Sequence, residues 1–285
     1  MSDPRDALDA IGQLPDVEID LAGAAVQLAR IDAPDLDWRA AVRHLSELAR
    51  SAVELANDLP STDLSARAGA LAGLITGRNR YAGDTDDYDS AANANLIQVI
   101  ERRRGLPVAL GILWLHCARA AGWGAHGVDF PGHFLMALEG QNMTRRNRAP
   151  EQQQTVLDVF AGGVPLDARD MRVLLKHVEG PEAELRPGVL QPMSSRSVLL
   201  RLQNNIKSRR LALGDLPGAL SCAENMLRIA PDAAPLWREA ALINQRLEHV
   251  GAALRCYERF LDLVPQGDAA LRTRAAIDEL RSRLN

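Results

Sequence analysis

The hydrophobic pattern has helical spacing at both ends of the chain and strand-like runs between them. Up to about residue 60 the apolar positions recur at helical spacing. Asp3-Pro4 is a helix start, with an aspartate to cap and a proline in the first turn, and Ala7, Ile11 and Leu14 then share a face. Asp20 to Arg30 predicts a second helix. A third begins near Asp35 or Asp37 and carries Trp38, Val42, Leu45 and Leu48 as a core stripe. Asn79 to Ser90 is polar and turn-rich and predicts a solvated loop. Asn95 to Arg104 predicts a short helix stopped by Gly105. Pro107 then opens a run, PVALGILWLHCARA, that is apolar on nearly every side and predicts a buried helix.

Beyond Trp123 the period changes. Residues 126–138 and 155–160 read as two strands. The polar, basic segment between them predicts a long hairpin loop with Arg145, Arg146 and Arg148 at a solvated tip. Asp167 to His177 returns to helical spacing, and Pro181, Pro187 and Pro192 mark a linker. Residues 200–265 then repeat with a period of about 34. Leu213 matches Leu247, Ala219-Leu220 matches Ala253-Leu254, Leu227 matches Leu261 and Pro231 matches Pro265. This pattern resembles the tetratricopeptide repeat. Trp237, Ala253, Tyr257 and Pro265 stand at the expected offsets in the second copy, while the first has Gln203 in place of an aromatic. Residues 268–283 predict a polar closing helix, as the end of an array needs.

Composition adds limits. Hydrophobic residues make up 47% of the chain but aromatics only 4%, a balance that favours packed helices over sheet. A net charge of −4 gives no electrostatic reason to expect nucleic acid or an anionic membrane as partner. The three cysteines form no CxxC and lie in apolar helical patterns, which fits a reducing compartment. The N-terminus lacks the basic start and apolar core of a signal peptide, and no apolar run approaches the ~18 residues of a membrane span. The expected location is the cytoplasm. Asp84, Asp86, Asp87 and Asp89 do not match the spacing of a calcium loop, so neither metal nor cofactor is expected.

The candidate chemistry lies between Asn93 and Gly163. His133 follows Pro131-Gly132 in one strand-like run, and Asp158 ends another. A thiol enzyme needs a cysteine at a helix start, a histidine to move the proton and a carboxylate to orient the histidine. The runs NANLIQVIERRRGLPVALGILW, PGHFLMAL and LDVFAGG resemble the SirB1 family, which has a transglutaminase-like core. The resemblance extends from about Val17 to Leu280. It implies an α+β fold: an N-terminal helical part (1–90), a transglutaminase-like, papain-like core with a small antiparallel sheet (91–190), and tetratricopeptide-like repeats with a closing helix (196–285). It also puts the family's nucleophile position at about Pro107 or Val108, and neither side chain can attack a carbonyl. Cys117 lies about 13–15 Å along the helix from that point.

Three roles stay open for His133 and Asp158: a buried pair that pins two strands, a retained binding cleft, or catalysis with another nucleophile. Asn95 caps its helix or lines the cleft. Glu101 and Arg104 pair across a helix face or contact substrate. The expected function is a nucleophile-less transglutaminase-like scaffold that binds a protein or peptide partner through the groove of its repeats. The alternative is a hydrolase or amide-transfer enzyme using His133 and Asp158.

Overall fold

A computed structural model describes residues 3–59, 63–140, 153–186 and 188–282. In chain order the helices are α1 (Pro4–Gln13), α2 (Leu21–Asp32), α3 (Trp38–Asn57), α4 (Leu64–Ala72), α5 (Leu96–Arg102), α6 (Pro107–Ala120), α7 (Ala168–Glu179), α8 (Ser195–Ala212), α9 (Leu216–Ile229), α10 (Ala234–Arg246), α11 (Val250–Leu263) and α12 (Asp268–Ser282). The strands are β1 (Ala82–Gly83), β2 (Arg104–Gly105), β3 (Ala125–Phe130), β4 (His133–Gly140), β5 (Gln153–Asp158), β6 (Val164–Leu166) and β7 (Pro192–Met193). The α+β class follows from these elements. No helix among the described residues is long and apolar enough to cross a membrane.

Aspartates set the helix starts. Asp3, Asp20, Asp37, Asp63 and Asp167 each accept a hydrogen bond from a backbone N–H of the first turn. Each thereby satisfies a donor that the helix cannot. Within α1 the fully buried side chain is Leu8, while Leu14, expected on its inner face, is 37% exposed. In α3 Leu45 and Leu48 are buried, but Val42 is exposed.

The chain forms two compact units. One is Asp20–Val198, and the other joins Met1–Ile19 to Leu199–Asn285. Compactness thus groups α1 with the repeats, although composition runs it on into α2.

In the first unit a five-stranded antiparallel sheet has the order β6-β5-β4-β3-β7. The run 126–138 is not one strand. It is the hairpin of β3 and β4, with Phe130 paired to His133 across Pro131-Gly132. Proline fits the first corner of the turn and Gly132, at φ +69°, the second. The segment proposed as a long hairpin loop, with Arg145, Arg146 and Arg148, falls largely outside the described residues, as does Pro187.

Each sheet face has its own helix. Val128, Phe130, Leu135, Ala137 and Val156 pack with Met171 and Leu175 of α7. Phe134 points the other way, and a Cβ added to Gly111 of α6 would lie 2.1 Å from its ring. Ten of the fourteen residues of α6 are buried, as expected for a helix with apolar residues all round.

In the second unit α8, from Leu199 onward, packs on α9 through Leu211, α10 and α11 form the next pair, and α12 closes the series. Ala219 and Ala253, the matched small residues, are both fully buried. α9 and α11 stop at Ile229 and Leu263, each two residues before a proline. Tyr257 is buried, and its hydroxyl donates to Gln245 Oε1 at 3.0 Å. α1 packs on α9. A Cβ on Gly12 would lie 2.1 Å from the Arg228 carbonyl oxygen, so only glycine permits this approach.

Candidate functional site

At the head of α6, the backbone enters through β2, which pairs in parallel with β1. Leu106 caps the helix without a side-chain hydrogen bond, its own N–H donating to the Asn93 carbonyl at 2.9 Å. Pro107 is half-buried and Val108 is buried, so the first turn presents hydrocarbon. A thiolate here would gain from the helix dipole. The nearest cysteine in sequence, Cys117, has no exposed surface, and burial pushes its thiol up to about 12. Its neighbour His116 is engaged by Nε2 with the Leu45 carbonyl at 3.0 Å.

His133 and Asp158 sit at strand ends, both half-exposed. His133 pairs with Phe130, whose side chain belongs to the cluster under α7, and the two rings are 6.5 Å apart. Side chains alternate along a strand. His133 therefore lies on the α7 face, while Phe134 beside it packs on α6. Asp158 follows Val156 by two residues and shares that face. The pairing of Met136 with Leu157 leaves His133 and Asp158 diagonally placed on neighbouring strands. The Asp158 carboxylate accepts from the N–H groups of Phe160 (3.0 Å) and Ala161 (3.1 Å), so it shapes its own turn. The structure puts both residues on one face of the sheet, and that face is not the one against α6.

Asn95 caps α5, accepting from the N–H groups of Ile97 and Gln98, and its amide donates to the Ala29 carbonyl at 3.1 Å. Glu101 and Arg104 are exposed and form no ion pair with each other.

Three polar arrangements are invisible to spacing arguments. Asp84, placed by composition in a solvated loop, is 5% exposed. Arg102 holds it at 2.8 Å and also donates to Asn93, whose amide donates to the Asp87 carbonyl. The Asp87 N–H, aided by Arg102, keeps the Asp84 carboxyl below the usual range. Next, Arg103 adopts φ +58°, rare for a residue with a side chain. Its guanidinium lies over the Tyr81 ring, donates to the Tyr81 hydroxyl, and donates to His44 Nε2 at 2.6 Å. Burial pushes the Tyr81 phenol well up. Third, His126 Nδ1 meets Glu139 Oε1 at 2.8 Å, while its Nε2 is buried and has no hydrogen-bond partner among the described residues. This is a carboxylate-oriented imidazole, and it is largely buried. Tyr81 lies in the run NRYAG and Asp84 just after it, Arg102 and Arg103 lie in ERRRG, and these separate runs meet through the β1–β2 pairing.

The second arrangement has a pH consequence. Burial, then the Arg103 guanidinium, holds the His44 imidazole below its ordinary value of 6.5. The unfolded chain therefore binds the proton more readily than the folded one. The stability from neutral His44 is complete above 6.5 and is lost as pH falls below it. Between about pH 7.5 and about pH 5.5 the urea midpoint of the wild type is expected to fall further than that of His44→Gln. Parallel slopes would remove His44 from the account.

The profile of the transglutaminase-like superfamily matches residues 40–204, more than half the chain. The chain belongs to the transglutaminase-like superfamily. A tetratricopeptide repeat profile matches residues 206–285 of this transglutaminase-like protein. A UPF0162 protein of Xylella fastidiosa is 30% identical over 261 residues, 90% of this chain and 88% of that one. A UPF0162 protein of Pseudomonas aeruginosa is 30% identical over 279 residues, covering 98% and 96%. The mouse F-box only protein 21 is 39% identical over 57 residues, 20% of this chain and 9% of that one.

Proposed function

We propose that this transglutaminase-like protein is non-catalytic and acts as a protein-binding or regulatory scaffold, its repeats carrying the partner. The observation that supports this most is the hydrocarbon first turn of α6, where the family resemblance puts the nucleophile position at about Pro107 or Val108. The placement of His133 and Asp158 on the α7 face adds support. Tetratricopeptide repeats supply helix faces suited to peptides or partner helices. A cytoplasmic setting goes with this reading and is supported by the three free cysteines. A place among SirB1-type proteins is supported by the order of helical part, core and repeats. The competing reading, a hydrolase or amide-transfer enzyme, rests on the common face of His133 and Asp158 and needs another nucleophile.

Alkylation by iodoacetamide, mapped by mass spectrometry on the native full chain, tests for a thiol nucleophile. Cys117 is expected to stay unlabelled until the protein unfolds, in wild type and in His133→Ala alike. The half-buried Cys256 serves as the native-state comparison. Fast labelling of Cys117 at neutral pH that disappears in His133→Ala would establish an activated thiol and overturn the scaffold reading.

A further inference from the structure

The repeat-bearing unit contains a groove of about 820 Å³ between α1 and α11, with α9 and α10 beneath. Its buried lining includes Leu227, Ala240 and Asn244, and Trp237 is half-buried beside them. Three guanidinium groups line it as well, Arg228, Arg255 and Arg259, against two carboxylates, Asp9 and Glu224.

These charges are not equally satisfied. Arg228 is held by Asp9 of α1 at 2.5 Å. Among the described residues Arg259 has loose ion-pair partners, Asp232 at 3.7 Å and Asp262 at 3.9 Å. Arg255 is exposed and forms no ion pair with any described residue. An arginine is weakly hydrated and presents a planar fork that matches a carboxylate. The groove thus offers an apolar strip with an unused guanidinium beside it.

α1 shows what this surface accepts. It is a ten-residue amphipathic helix that buries Leu8, sets Asp9 on Arg228 and brings Gly12 onto the backbone of α9. The surface therefore already holds an acidic amphipathic helix from its own chain.

We infer that the groove beside α1 docks an acidic amphipathic segment of a partner protein, with a carboxylate on Arg255 and an apolar side chain over Leu227 and Trp237. This rests on the reading of the repeats as a protein-binding module and names the face and chemistry of the contact. It places the partner between α1 and α11. Glu224 opposes the same carboxylate and sets a limit on affinity.

The test uses the full chain and two fluorescein-labelled amphipathic peptides of about twelve residues, identical except that the polar face is glutamate in one and lysine in the other. Anisotropy is expected to show binding of the glutamate peptide and at least about tenfold weaker binding of the lysine peptide. Arg255→Glu should weaken the glutamate peptide by about tenfold or more, Arg255→Gln by less, and Glu224→Gln should tighten it. Arg255 is exposed, so thermal melts of these variants should match wild type. Glutamate-peptide binding that ignores Arg255→Glu would overturn the groove assignment while leaving the repeats as a protein-binding module. Failure of wild type to bind the glutamate peptide would overturn the acidic chemistry. Tight binding of the lysine peptide alone would do the same, and would still leave the module reading in place.

Discussion

Gly163→Ala is expected to destabilise the transglutaminase-like unit by about 2–5 kcal/mol, from a strained backbone and an overpacked core together. Gly163 has φ +83°, a conformation that a Cβ disfavours, and that Cβ would lie 2.1 Å from Cη2 of Trp114. Trp114 is fully buried in α6, so its ring has nowhere to retreat. Gly122 provides the comparison. It has a similar φ of +70°, but no atom of a described residue lies within 4 Å of the added one. Gly122→Ala should lose only the backbone part, about 1–2 kcal/mol. Urea denaturation of both variants separates the two contributions, and equal losses would mean that the indole yields.

The second large effect belongs to the repeats. Lys207 is 2% exposed, and its ammonium meets Glu239 Oε2 at 2.5 Å. Glu239→Ala would leave a buried cation without its carboxylate. Breaking such a pair costs roughly 3–5 kcal/mol, and the lower end is expected because Glu239 keeps 36% of its surface in water. Lys207→Met combined with Glu239→Ala should recover much of the loss, since it removes the charge rather than its partner. Thermal melts of the single and double variants decide the matter. A Glu239→Ala protein within about 1 kcal/mol of wild type would show that water reaches the ammonium.

The helices were legible in the sequence because their signals are local. Asp3, Asp20, Asp37 and Asp167 mark starts with a short polar side chain, Asn95 caps α5, and Pro107 opens α6. The repeats were legible because Ala219 and Ala253 recur at fixed spacing and are small for a reason that shows in their burial. The hairpin at Pro131-Gly132 was harder to see, since apolar residues continue on both sides and the run 126–138 reads as one strand. Its position decides the parity of β4 and hence which face His133 takes. No spacing between His133 and Asp158 contains that information. The Arg102–Asp84 and Arg103–His44 contacts were illegible for a related reason. Each joins residues distant in the chain, and charge alone placed Asp84 in solvent.

The sheet also carries an order of assembly in its connections. β3 and β4 join across two residues, whereas the β3–β7 ladder pairs Gly127 with Met193 and Val128 with Pro192. Closing that interval of roughly sixty residues carries about 2–3 kcal/mol more chain entropy than closing the hairpin. The edge with two rungs thus has the least pairing enthalpy to set against the largest closure entropy. In kinetic terms the hairpin forms on a local search, and β7 arrives only after the rest of the sheet has drawn the chain together.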